Sequence, residues 1–113
     1  MKKDDTVYLR HILDAIERIA DYTKGTSAEQ FMQSQLVQDG VVRQLEIIGE
    51  ASRNLSDEFR QEHLQVPWSQ MIGLRNRIIH AYFNVNLHIV WEIVQKDLAP
   101  LKQQVKHILG EMA

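Results

Sequence analysis

The stretch LVQDGVVRQLEIIGEASRNL, residues 36–55, decides the fold because its apolar residues recur every three or four positions. This spacing puts them on one face of an α-helix, whereas a half-buried strand would show strict alternation. The face consists of Leu36, Val37, Val41, Val42, Leu45, Ile48 and Leu55. The stretch therefore predicts a long amphipathic helix that begins near Ser34.

Two glycines, Gly40 and Gly49, lie inside this predicted helix. A glycine in a helix interior costs about 1 kcal/mol relative to alanine. We expect each of them to permit the close approach of another helix, although a kink is equally compatible.

The helical spacing continues on the amino-terminal side of this stretch. Asp4 or Asp5 is a suitable N-cap for a first helix, which Gly25 is expected to end. Ser27 and Gln30 have the spacing of a capping box that opens a second element.

Helical signals also follow the long helix. Ser56 and the two acids after it predict a short helix, and Pro67 favours a helix that starts near Trp68 or Ser69 and runs into residues 75–83. Asn84 and Asn86 predict a turn, with Asn86 as the cap of a strongly apolar last helix that Pro100 should bend.

With only five glycines and two prolines, the chain has few residues for sheet turns. We predict an all-α fold, an up-and-down bundle of four to five helices forming a single domain over residues 1–113. The first, long and last helices carry more apolar residues than a narrow core seam needs, which favours a homodimer. Thick helices that fill the core of a monomer explain the same pattern equally well.

Composition excludes several kinds of site. The chain has no cysteine, which excludes disulfides, zinc ribbons, iron–sulfur clusters and thiol nucleophiles. No two of the five histidines are three or four residues apart and no H-E-x-x-H occurs, so we expect neither a metal site nor a cofactor. The residues after Met1 lack the apolar core of a secretory signal, and no stretch is long and apolar enough to span a bilayer, so a cytoplasmic location is expected.

The charge distribution is more informative than the net charge of −2. Residues 63–91 contain Arg75, Arg77 and three histidines but no carboxylate, so an anion would meet no local repulsion there. Burial of the segment would explain the missing acids, but it would not explain the two arginines. Glu46 and Glu50, four residues apart on the long helix, either contribute to this site or are solvated charges.

The stretch RNRIIHAYF, residues 75–83, carries residues suited to phosphate chemistry. The planar guanidinium of Arg75 can hold a phosphate through two hydrogen bonds, and His80 can take and return a proton near neutral pH. Together they could cleave RNA without a metal by activating the ribose 2'-hydroxyl and stabilising the charge on the phosphoryl oxygens. Arg77 would suit an RNA phosphate, although a salt bridge is the simpler interpretation.

The five-residue separation of Arg75 and His80 complicates this hypothesis. On an ideal helix they would lie about 140° apart and about 7.5 Å apart along the axis, whereas Asn76 and His80 would share a face. Arg75 and His80 can converge only if the helix ends or distorts between them, or if two copies of the chain meet. Asn76 is therefore a candidate supporting residue.

Each of these residues also has a simpler interpretation. A single histidine between apolar neighbours is commonly a partly buried structural residue, as we also expect for His63 and His88. Tyr82 and Phe83, with Trp68 and Trp91, would more often be core aromatics than platforms for RNA bases.

In combination the residues resemble the R-x4-H-x-Y motif of the HepT-like toxins, a branch of the HEPN superfamily. The resemblance covers nearly the whole chain: LEIIGEASRNLS, VPWSQMIGLRNRIIHAYF and VWEIVQKDLAPLKQQV are all similar to that family. It implies a helical domain that dimerises to bring the motifs of two chains into one cleft, and a metal-independent endoribonuclease. We expect it to act on tRNA or mRNA, and cleavage through the 2'-hydroxyl would leave 2',3'-cyclic phosphate ends.

The resemblance also implies roles for individual residues and a partner. Arg75 and His80 would be the catalytic pair, with Asn76 supporting them. A minimal nucleotidyltransferase antitoxin, encoded beside the toxin, would silence it by transferring AMP from ATP to Tyr82. An alternative is a non-catalytic helical module that binds nucleotide or substrate for a nucleotidyltransferase; a purely structural dimerisation protein would leave the arginine–histidine cluster unexplained.

Overall fold

The structure, a computed structural model, describes residues 3–80 and 84–112, without the side chains of Lys3, Asp4 and His80. The described part contains eight helices: α1 (Lys3–Thr23), α2 (Ala28–Gln33), α3 (Gln35–Asn54), α4 (Asp57–Glu62), α5 (Trp68–Ile72), α6 (Leu74–Ile78), α7 (Leu87–Lys96) and α8 (Leu98–Met112). Two short strands, β1 (Ile79–His80) and β2 (Asn84–Val85), form an antiparallel pair. The prediction of an all-α fold is confirmed.

Local signals set many of the helix boundaries as predicted. Ser27 and Gln30 form the capping box at the start of α2, and the side chains of Ser34, Ser56 and Asn86 cap α3, α4 and α7. Each accepts a hydrogen bond from a backbone N–H that has no partner within its own helix. The long helix is continuous through both of its glycines.

The described residues form eight helices, more than the four to five expected for the bundle, because two of the six predicted helical segments are each divided into two. Gly73 separates α5 from α6, and Asp97 separates α7 from α8. The second break lies three residues before Pro100, which sits in the first turn of α8. A proline there needs no N–H partner within the helix, whereas continuing α7 would place its ring against the Lys96 carbonyl.

The core lies where α1 packs along α3 and α8 covers α1. Its largest fully buried side chains include Leu9 and Ile12 from α1, Leu45 and Ile48 from α3, and Ile108 from α8. The shortest dimension of the molecule is 19 Å, which fits about two layers of helices. Leu36 was expected on the buried face of α3 but is 85% exposed, because it lies in the first turn of that helix.

Gly49 sets the distance between α3 and α5. A Cβ atom at this position would lie 2.9 Å from the backbone oxygen of Met71, which is closer than carbon and oxygen normally approach. A Cβ at Gly40 would instead meet only the Tyr22 ring, at 3.2 Å. Both glycines therefore permit close approach, as expected, and the one at Gly49 brings the segment leading to Arg75 against α3.

The predicted N-cap role of Asp4 or Asp5 is wrong, because α1 begins at Lys3 and both residues lie inside it. The Asp5 side chain is buried and accepts hydrogen bonds from the backbone N–H and the hydroxyl of Ser56, at 2.8 and 2.9 Å. A carboxylate can accept several hydrogen bonds, so this one joins the start of α1 to the start of α4.

The apolar pattern does not require a dimer. Among the described residues, the exposed large apolar side chains are Val7, Tyr22, Leu36 and Leu64, so the core of one chain accounts for most of the apolar faces. Every helix in residues 3–80 and 84–112 is too short or too polar to cross a membrane.

Candidate active site

The motif arginine lies on a short helix whose opposite side is buried. In α6, Leu74 and Ile78 are fully buried and four residues apart, so they lie on one face. Arg75, Asn76 and Arg77 are exposed. Burial of the two apolar residues thus orients Arg75 toward solvent.

The helix ends between Arg75 and His80. Ile79 has an extended backbone with φ −108° and ψ 119°, and β1 pairs with β2 so that Ile79 opposes Val85 and His80 opposes Asn84. Asn86 extends the ladder by donating its N–H to the Ile78 carbonyl at 2.8 Å. The separation of Arg75 and His80 expected for an ideal helix therefore does not apply. The first of the two conditions for their convergence, a helix that ends between them, is met within a single chain.

Two local expectations are corrected by this ladder. Asn76 and His80 do not share a helix face, because α6 ends at Ile78. Asn84 belongs to a strand instead of a turn, since its backbone pairs with that of His80. The His80 side chain, Tyr82 and Phe83 lie outside the described residues.

Arg75 forms an ion pair with Glu46 of α3. Nε of Arg75 lies 3.6 Å from Oε2 of Glu46, and the two side chains are 59% and 32% exposed. Such a partly exposed pair adds little stability, so its main effect is to hold the guanidinium over α3. Among the described residues, none accepts a hydrogen bond from the two Nη groups of Arg75, which can therefore receive a phosphate.

Of the two glutamates on α3 that were expected either to contribute to the site or to be solvated charges, Glu50 is a solvated charge and Glu46 is not. Glu50 is 69% exposed and lies 3.9 Å from the Nε of Arg53, one turn further along α3. Glu46 instead lies against Arg75, which is 29 residues away in sequence.

Arg77 is also paired. Its Nη1 lies 3.5 Å from Oδ2 of Asp97, at the junction of α7 and α8. Residues 63–91 contain no acid, but both of their arginines form ion pairs with carboxylates from elsewhere in the chain. Glu46 of α3 pairs with Arg75, and Asp97 at the α7–α8 junction pairs with Arg77. The expectation that an anion would meet no repulsion is therefore wrong in three dimensions.

The two tryptophans are structural, as the simpler interpretation expected. Trp68 is buried and donates from Nε1 to the His63 carbonyl at 2.9 Å. Trp91 packs against Phe31, with ring centroids 4.9 Å apart. His63 lies against the Phe59 ring at 4.4 Å, whereas His88 is exposed on α7.

An open groove of about 490 Å³ borders Arg75. Sequence reasoning missed the four aromatic or cationic residues that line it besides Arg75: Tyr8 and His11 from α1, and Arg43 and Arg53 from α3. The i, i+3 spacing of Tyr8 and His11 could have shown that they are neighbours, but not that they lie near Arg75. Among the side chains that the structure describes, no three from histidine, aspartate or glutamate are grouped so as to hold a metal ion.

Comparison with known proteins identifies the family. The family model described as "Ribonuclease HepT-like" matches residues 12–108. The chain is 46% identical over 102 residues to a provisionally assigned RNase of Caldanaerobacter subterraneus subsp. tengcongensis, covering 90% of this chain and 91% of that protein. It is 40% identical over 102 residues to a protein of Thermococcus cleftensis named "Probable ribonuclease HepT", covering 90% and 93%.

A longer protein also matches. A gamma-glutamylcyclotransferase and provisionally assigned RNase of Methanocaldococcus jannaschii is 43% identical over 112 residues, which are 99% of this chain but only 50% of that protein. No solved structure gave a significant match. The family model covers most of the chain, including Arg75, His80 and Tyr82, and the chain therefore belongs to the HepT-like ribonuclease family.

Proposed function

We propose that this protein is an endoribonuclease and the toxin of a toxin–antitoxin pair, with Arg75 and His80 as its catalytic residues. The observation that carries the proposal is the placement of Arg75: exposed, bordering a groove, and on a helix that ends just before His80. Membership of the HepT-like family and the ribonuclease names of its relatives support the same activity.

In the proposed reaction, His80 takes the proton of a ribose 2'-hydroxyl, and the 2'-oxygen attacks the adjacent phosphorus. The bond from phosphorus to the 5'-oxygen of the next nucleotide breaks, and that oxygen takes up a proton from solvent while His80 releases its proton to solvent, so no net proton is consumed. Arg75 holds the phosphoryl oxygens as their negative charge increases. The products are a 2',3'-cyclic phosphate end and a free 5'-hydroxyl, and the reaction needs no metal.

The proposed active form is a homodimer with both motifs in one cleft, as the family resemblance implies. Asn76, exposed beside Arg75, would contact the substrate, since it cannot orient His80 along a helix. Arg77 would contact an RNA phosphate only by exchanging its carboxylate partner, Asp97.

We expect the purified protein to cleave tRNA or mRNA at an unchanged rate in excess EDTA. Sequencing and end-specific labelling of the products should find 2',3'-cyclic phosphate and 5'-hydroxyl ends. Loss of cleavage on chelation would contradict the metal-independent mechanism. A wild-type protein that binds RNA but never cuts it would instead support the non-catalytic binding module.

Neutralisation is proposed to occur at Tyr82, two residues after His80 in the sequence. The tyrosine oxygen would attack the α-phosphorus of ATP on a minimal nucleotidyltransferase, pyrophosphate would leave, and AMP would remain on the ring. A bulky anion this near the phosphate site would block it sterically and repel RNA.

Co-expression with the proposed nucleotidyltransferase antitoxin is expected to raise the intact mass of the protein by one or more AMP groups and to abolish RNA cleavage. Tyr82→Phe should stay unmodified at this position and should keep cutting RNA in the presence of the partner. If the partner still abolishes RNA cleavage by the Tyr82→Phe variant, neutralisation does not depend on AMP transfer to Tyr82.

A further inference from the structure

The groove beside Arg75 extends over the surface formed by α1 and α3, and it contains aromatic and cationic side chains that the proposed cleavage step does not use. Arg75 of α6 is one of its lining residues, together with Tyr8 and His11 from α1 and Arg43 from α3. Its volume of about 490 Å³ falls in the range of about 300–1,000 Å³ that is usual for small-molecule sites. It is therefore large enough for a single nucleotide.

Tyr8 and His11 form an aromatic pair on the α1 side of the groove. Their ring centroids are 6.0 Å apart and their planes meet at 82°, an edge-to-face arrangement. Tyr8 is partly buried beside the core, which limits its movement, whereas His11 is exposed. A fixed aromatic ring at a polar surface is the feature with which proteins stack an unpaired RNA base.

The charges in the groove favour an anion at Arg43. Three arginines line it, together with Glu46 and Glu50. Glu46 pairs with Arg75 and Glu50 with Arg53, whereas no carboxylate of the described residues lies within 4 Å of the Arg43 guanidinium. Arg43 is exposed, so it can hold a second phosphate while Arg75 holds the one that is cleaved.

We propose that this groove is a subsite for one unpaired nucleotide of the RNA substrate, next to the scissile phosphate. Its base packs against Tyr8 and His11, and its phosphate lies at Arg43. The inference rests on the proposed ribonuclease function and adds a substrate class to it: single-stranded RNA, because a base held in a duplex cannot reach the aromatic pair.

Binding should be measured with the full-length chain carrying His80→Ala, so that RNA stays intact, using fluorescence anisotropy of a labelled single-stranded oligoribonucleotide. Tyr8→Ala is expected to raise Kd about tenfold, the usual loss when a base loses its aromatic platform. His11→Ala and Arg43→Gln should each raise Kd severalfold. Since both residues are exposed, these two variants keep the test valid if Tyr8→Ala unfolds the chain.

A second set of oligonucleotides tests whether a base occupies the site. Abasic nucleotides are introduced one at a time on either side of the position that the wild-type protein cuts. At one of these positions, removing the base should weaken binding to the chain that carries only His80→Ala. This loss should be about as large as the loss that Tyr8→Ala causes with intact RNA. The same removal should have almost no further effect on the Tyr8→Ala variant, because the two changes delete one contact.

Matched surface variants are Tyr22→Ala on the same helix, His107→Ala on α8 and Arg18→Gln on α1, and each should leave Kd within about twofold. None of these residues lines the groove.

Three results would overturn the subsite. They are an unchanged Kd in all groove variants, equal losses for Tyr8→Ala on intact and abasic RNA, or groove substitutions that convert a dimer to a monomer without altering RNA binding. The last would make the groove an interface between two copies. A wild-type protein that does not bind or cut RNA would refute the proposed function itself. If the wild type cuts RNA but the groove substitutions leave the Kd for RNA unchanged, only the subsite is refuted.

Discussion

Replacing Arg75 by alanine is expected to lower the rate of RNA cleavage about 100- to 1,000-fold, the usual effect of removing one group that stabilises charge in a transition state. His80→Ala should lower it by a similar factor or more, because a general base contributes about 100- to 10,000-fold. Single-turnover cleavage of a labelled oligoribonucleotide measures both rates. Induced expression should no longer inhibit growth with either variant.

The fold should survive the loss of Arg75. Its side chain is largely exposed, and a partly exposed ion pair such as that with Glu46 contributes less than about 1 kcal/mol. Circular dichroism should show unchanged helix content and a Tm within about 5 °C of the wild type. Arg18→Ala, an exposed arginine on α1 outside the groove, is the matched control and should cut RNA normally.

Cleavage at more than about a tenth of the wild-type rate by purified Arg75→Ala would contradict its catalytic role. Arg77→Ala should not cause the large loss of cleavage rate expected for Arg75→Ala and His80→Ala, because Arg77 is already paired with Asp97. If Arg77 contacts an RNA phosphate, its loss should weaken binding evenly across sequences and lower the salt dependence of binding by about one counterion.

Asp5→Ala is expected to reduce the free energy of unfolding by about 3 kcal/mol. The buried carboxylate accepts two hydrogen bonds from Ser56, and bonds to a charged group are worth about 1.5–3 kcal/mol each. Its removal leaves the Ser56 N–H without this partner and releases the hydroxyl that caps α4 by accepting from the Phe59 N–H at 3.1 Å. Urea unfolding followed by circular dichroism measures the change.

Asp14→Ala, an exposed aspartate on the same helix, should change stability by no more than about 0.5 kcal/mol. Asp5→Asn keeps the shape of the side chain and one acceptor oxygen, so its loss of unfolding free energy should lie between those of Asp14→Ala and Asp5→Ala. If Asp5→Ala unfolds at the wild-type urea midpoint, the link between α1 and α4 does not contribute to stability.

Features encoded within a few residues were predictable from the sequence. The capping box at Ser27, the caps at Ser34, Ser56 and Asn86, and the apolar spacing of α1, α3 and α8 all depend on neighbours three or four positions away. The all-α class follows from them. The motif from Arg75 to Tyr82, together with the stretches that flank it, was sufficient to suggest the HepT-like family, which the family model then confirmed.

Prediction failed where a local signal competed with a distant partner. Asp5 has the residue type of an N-cap, but its carboxylate binds Ser56, 51 residues away. The helix leading to Arg75 was expected to continue through His80, but backbone pairing with residues 84–85 draws the chain into a strand. Helical periodicity of the apolar residues alone cannot reveal these partners.

The sequence by itself determined most of the helices, the caps at Ser27, Ser34, Ser56 and Asn86, the family and the identities of the candidate catalytic residues, because these depend on local spacing and on a contiguous motif. Only the tertiary structure decided that Glu46 holds Arg75, that Asp97 holds Arg77 and that Tyr8, His11 and Arg43 share a groove with the motif arginine. Electrostatic and aromatic contacts act over a few ångströms in space, and packing of α1, α3 and α6 brings together residues that the chain keeps far apart.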